Sequence, residues 1–213
     1  MRVISQQSRK SNQAFTLIEM IGVLAVIAIL ASMLVPKIFE AINSARINNT
    51  VQSYNAIKTA VMDHYGKFGA INILGVPAPG SPMTAAQGTN YDRSILLPEG
   101  LIDKAFVAKV GTNWMIQATP VAAATTAATP ISGTNEAYDL DGGGTVVNDA
   151  YPAAFVVEAV IQGVALADAI EISERLDGAT LSVPGGGNDY LGRVKYGAPA
   201  GGLTDVHIYI AHR

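Results

Sequence analysis

Two places in this 213-residue chain carry residue types at spacings that can do chemistry. One is the stretch Tyr138–Tyr151, where Asp139 and Asp141 stand two apart and are followed by glycine. That spacing sets alternating oxygens toward one ion, as in an acidic calcium loop, and Asn148 and Asp149 extend the candidate metal set. Position 143 is Gly, and Ala150 stands where the bidentate Glu of an EF-hand would be, so this is not an EF-hand. A tight Asp-Gly turn between strands accounts for the same residues without a metal. The other place is Glu19, the only charged residue among the 21 from Phe15 to Val35. An ionisable group in hydrocarbon is costly unless it finds a partner, and is a functional candidate by default. A cut between Ala14 and Phe15 would create an α-amine four residues before Glu19. Carried on helices lying side by side, the amine of one copy and the carboxylate of the next would neutralise each other.

No catalytic constellation is present in the sequence. His64 belongs to a long helical pattern, and His207 and His212 stand near the C-terminus without a Ser nucleophile motif or metal-ligand spacing. The Pro184–Asp189 loop has too many glycines, and no following helix, to cradle a phosphate. There is no cysteine, hence neither disulfide nor thiol chemistry. The net charge of −3 would become −6 if residues 1–14, with Arg2, Arg9 and Lys10, were removed, which gives no encouragement for nucleic acid.

The elements that must position these residues begin with the apolar run. From Phe15 to Val35 a helix would reach roughly 30 Å, the thickness of a bilayer's hydrocarbon core. The basic residues before it place residues 1–13 in the cytoplasm, so the remainder is delivered outward. Gly22, Ala25, Ala28 and Ala31 recur every three residues and allow another helix to come close. Pro36 removes a backbone donor, and a bend or local unwinding is expected there. From Lys37 to Phe68 the pattern turns amphipathic, with Ile47, Val51, Tyr54, Ile57, Val61, Tyr65 and Phe68 on one stripe.

Small residue, then Phe15-Thr16-Leu17-Ile18-Glu19, then an apolar run resembles the N-terminal signature of type IV pilins and type II secretion pseudopilins. The resemblance implies a leader at 1–14, cleavage by a prepilin peptidase between Ala14 and Phe15, methylation of the new amine, and Glu19 guiding subunits into a helical filament. Ala14 departs from the family's usual Gly before the cut. Pro36 matches the family's helix-breaking residue, where the helix can stretch in the filament. Calcium is bound by some major pseudopilins in a C-terminal loop, which gives the 139–149 residues a precedent. The implied partners are further copies of the chain, the peptidase, the inner-membrane assembly machinery and the membrane itself. The implied route runs from the inner membrane to an extracellular filament, or to a periplasmic pseudopilus.

An ordinary secretory signal would place Glu19 inside its apolar core, with no good small-x-small pair at Ala31 or Ser32. A plain single-span anchor leaves Glu19 and Phe15-Thr16-Leu17-Ile18 unexplained.

The expected fold is α+β: a helix with a membrane or assembly half (15–36) and an amphipathic half (37–68), packed on an antiparallel sheet of four or five strands in a head spanning 69–213. A loop covers 69–92 and a short helix or turn 92–104. Strands are expected at 105–110, 114–118, 153–161, 193–196 and 204–213, the first two as a hairpin around Gly111-Thr112-Asn113, and a helix at 165–176. Trp114 reads as a packing residue. Residues 119–134, rich in Ala, Thr and Pro, read as an exposed loop whose composition would also suit O-linked sugars. The competing class is a membrane-anchored ligand-binding or enzymatic module behind the same leader.

Overall fold

The computed structural model describes residues 16–69, 71, 88–120, 137–142, 155–181 and 187–212. Helix α1 (Leu17–Phe68) leads the chain, and two compact units divide it, residues 1–43 and 44–213. In the first unit the helix is clothed in apolar side chains, and the large ones from Leu17 to Ile42 are 45–78% exposed. It is long and apolar enough to cross a membrane.

The expected unwinding at Pro36 is absent, because the helical run continues through that residue. Proline's fixed φ is itself helical, so the helix goes on with one hydrogen bond fewer. Exposed Lys37 and Glu40 pair at 2.9 Å in the following turn.

In the second unit, β1 (Asn113–Pro120), β2 (Phe155–Ala165), β3 (Val194–Tyr196) and β4 (Leu203–His212) form an antiparallel sheet in the order β1-β2-β4-β3. Helix α2 (Leu166–Asp177) follows β2 directly. This is the α+β, pilin-like layout expected from the sequence. Alternation along each strand puts Ile116, Ala159, Ile161, Val206 and Ile208 on one face, in a single core with Ile47, Tyr54, Ile57 and Val61 of α1 and Ala169 and Ile172 of α2. Trp114 packs at the margin of that core.

The buried stripe of α1 is Ile47, Thr50, Tyr54, Ile57, Val61 and His64, at regular steps of three and four. Two polar residues therefore hold core positions, and Tyr65 and Phe68, expected inside, are 41% and 46% exposed. Thr50 is accommodated because its hydroxyl donates to the Arg46 carbonyl and accepts the Lys109 N–H at 2.9 Å. Ser53 takes the Val107 N–H at 3.3 Å, and the buried Asp92 carboxylate takes the Phe106 N–H at 2.8 Å. These bonds explain why residues 105–110, expected as a strand, are none: their donors are used by side chains instead of a neighbouring strand. β1 pairs instead with β2, Asn113 opposite Gln162 and Ile116 opposite Ala159. Gly111, at φ +75°, turns the chain into β1; a Cβ there would stand 2.6 Å from the Gln162 carbonyl oxygen.

Candidate functional site

The first residue described, Thr16, is an N-cap, and its partner is Glu19. Thr16 N–H donates to Glu19 Oε2 at 2.8 Å, the Thr16 hydroxyl donates to the same oxygen at 2.7 Å, and that hydroxyl accepts the Glu19 N–H at 3.3 Å. This is a reciprocal capping box, satisfying donors that the start of a helix leaves open. Its sequence signal, Thr-x-x-Glu ahead of an apolar run, lies in plain view at 16–19, and Thr16 is the residue sequence reasoning passed over. The box uses one carboxylate oxygen; Oε1 takes no bond among the described residues. Beside Glu19 a cleft of about 530 Å³ runs along Met20, Gly22, Val23, Val26 and Ile27. Ala14 and Phe15, the cleavage and methylation candidates, lie outside the described residues.

Of the metal candidates, Asp139 and Asp141 lie among the described residues. Asp139 is buried, its carbonyl accepting the Gly192 N–H at 2.6 Å, while Asp141 is exposed. Asn148 and Asp149 lie outside the described residues, and among those described no three potential ligands come together.

The face of the sheet turned away from α1 carries a second constellation. Alternation on β4 is as expected, but His207 is buried at 6% exposure, where a half-buried strand would leave it wet. Residues of the 137–142 segment pack on that face, against Glu158, Lys195 and Tyr209. Glu158 of β2, 1% exposed, receives Tyr138 Oη–H on Oε2 and Gln117 Nε2–H on Oε1. His207 Nδ1 stands 3.2 Å from Glu158 Oε2, near enough for an ion pair but off the line of a good hydrogen bond. Burial pushes the Glu158 carboxyl up, but His207, Tyr138 and Gln117 together outweigh burial and hold it below the usual carboxylate value. Buried Lys195 of β3 lies 4.3 Å from the centre of the Tyr138 ring and donates to the Ala137 carbonyl at 2.9 Å. No sequence pattern joins these residues, since they come from four strands and a separate segment.

A groove of about 720 Å³ lies between α1 and residues 101–109, with Asn49, Ser53, Lys104 and Lys109 among its lining residues. The polar groups there form no nucleophile, base or metal arrangement.

Residues 9–35 match the prokaryotic N-terminal methylation motif. That motif is the leader signature of type IV pilins and pseudopilins. The match runs into the apolar half of α1, and it accords with membrane anchoring of that helix. No curated protein and no solved structure matches the chain.

Proposed function

We propose that this chain is a structural subunit, a pilin or pseudopilin, with no catalytic role of its own. The observation that carries the reading is the coincidence of the methylation motif at 9–35 with a helix whose large apolar residues find no partner within their own unit. A helix apolar on all sides belongs in lipid or among its own kind. Prepilin peptidase cuts between Ala14 and Phe15, the new amine is methylated, and the subunit waits in the inner membrane with its head outside. Assembly machinery then moves it from lipid into a helical polymer in which the apolar halves of neighbouring helices bury one another. Glu19 orders that step: Oε2 is held by its own helix start, while Oε1 remains available to a neighbour's α-amine. The polymer is a surface filament or a periplasm-spanning pseudopilus serving adhesion, motility or secretion. Calcium, held by Asp139 and Asp141 with Asn148 and Asp149, is a candidate for bracing the head.

The test is intact-mass and N-terminal analysis of protein sheared from cell surfaces. A chain beginning at Phe15, with or without one added methyl, supports the reading. A chain still beginning at Met1 in the membrane fraction overturns it and favours an anchored binding or enzymatic module, for which the groove beside Asn49 and Lys104 is the place to begin.

A further inference from the structure

The two faces of the sheet are held by different physics. Toward α1 and α2 the contacts are those of a large apolar core. On the opposite face the apolar cluster among the described residues is small, Tyr138 and Val156 with Leu140 and Tyr209, and polar contacts lie beside it. Among the bonds that hold residues 137–142 are Tyr138 Oη–H to Glu158, Lys195 to the Ala137 carbonyl, and the Gly192 N–H to the Asp139 carbonyl. The hydroxyl bond ends on a carboxylate that is nearly inaccessible and shared with Gln117 and His207.

We propose that residues 137–142 are an acid-released strap: protonation of Glu158 detaches Tyr138 and loosens this segment's hold on the sheet while the core on the other face stays folded. The strength of the strap depends on Glu158 being an anion, because a carboxylate accepts bonds from Tyr138 and Gln117 together while attracting His207, whereas a protonated carboxyl must itself place a proton among those donors. The groups facing Glu158 are Gln117 from β1, Tyr138 from the strap and His207 from β4; Lys195 from β3 lies beyond, against Tyr138. Tyr209 packs edge-on to Tyr138 at 5.4 Å and shares a 2.6 Å hydrogen bond with His212. The direction of the effect follows from linkage. A carboxyl held below its free value of 4.5 stabilises the folded arrangement above that pH, and the contribution is lost as pH falls through the lower, folded value. Release therefore belongs to pH below about 4.5, with the strap closed at neutrality. The apolar packing on the other face adds no such dependence of its own, since apolar burial carries no proton.

The experiment is amide hydrogen exchange by mass spectrometry on the full-length protein in detergent with chelator present, so that a bound cation does not add its own pH dependence. Peptides covering 137–142 and 203–212 are followed separately at pH 7 and pH 3.5, with rates corrected for intrinsic exchange. The expected result is a loss of protection at 137–142 of about tenfold or more, the scale of one hydrogen bond to a charged group, with 203–212 still protected. In Glu158→Gln, strap protection should be the same at both pH values. Equal protection in the wild type at the two pH values, loss in both peptides together, or an unchanged acid response in Glu158→Gln overturns the proposal. If Glu158→Gln fails to fold, Tyr138→Phe serves in its place. It should exchange at 137–142 at pH 7 as the wild type does in acid, and wild-type protection in that variant also overturns the proposal.

Discussion

Tyr54 fastens α1 to the centre of the sheet, and removing one oxygen atom measures that joint. The side chain is 1% exposed, and its hydroxyl donates to the carbonyl of Tyr209 in β4 at 2.6 Å. Tyr54→Phe keeps the ring in the core and removes only the donor. A typical net hydrogen bond contributes about 1 kcal/mol, and a buried carbonyl left without its donor raises the cost, so the expected destabilisation is about 1–2 kcal/mol. For a domain the size of residues 44–213, each kcal/mol lowers Tm by roughly 2–4 °C, giving an expected fall of roughly 2–8 °C. The assay is a thermal melt of the full chain in detergent followed by fluorescence. Trp114 is the chain's only tryptophan and sits in β1 against the same core, so it reports the head and is indifferent to the apolar half of α1. Tyr54→Ala, which also empties the ring's space, should cost about 3–5 kcal/mol, as other large aromatic truncations do. An unchanged Tm in Tyr54→Phe, or a fall equal to that of Tyr54→Ala, would refute the assignment of the joint to this hydroxyl.

Three further outcomes are expected. Glu19→Val should leave the cut before Phe15 largely intact while filament yield falls to background; normal yield of sheared filaments would remove Glu19 from assembly. If calcium is held by the 139–149 residues, Asp139→Ala combined with Asp141→Ala lowers Tm in calcium but not in chelator, and an equal change in both media rejects the site. Gly111→Ala places a Cβ 2.6 Å from the Gln162 carbonyl oxygen at φ +75°, and should destabilise the head by about 1–3 kcal/mol in a denaturant melt. Wild-type stability there would mean that the entry to β1 relaxes freely.

What the sequence disclosed depended on whether the physics was local. The apolar run, the charge asymmetry around it and the Phe15–Glu19 signature are contiguous, and the structure places a helix over them from Leu17. Strand β4 was legible because alternation is a property of neighbours, β2 because its apolar and β-branched residues form one contiguous run, and α2 because its apolar residues recur at helical steps. Residues 105–110 misled because a β-rich composition says nothing of where the amide donors go, and here Thr50, Ser53 and Asp92 took them. The inner stripe of α1 was misread at Thr50 and His64, since a polar residue with a partner can stand where an apolar one is expected. His64 is paid for by Glu99, whose Oε2 lies 2.6 Å from Nδ1 inside the head. The Glu158 cluster was invisible for another reason: Gln117, Tyr138, Glu158, Lys195 and His207 come together only through the order of the strands and the covering segment.

That strand order bears on how the head is made. β4, residues 203–212, is an inner strand hydrogen-bonded to β2 on one side and β3 on the other. A chain interrupted before residue 203 keeps the β1–β2 pair but has nothing to join β3 to it, and it lacks the carbonyl that Tyr54 holds. Pairing of distant segments comes late in folding because a long loop must close first. The sheet thus acts as a completeness check: a copy that stops short of residue 203 leaves β2 with one open edge, however well its N-terminal helix has formed.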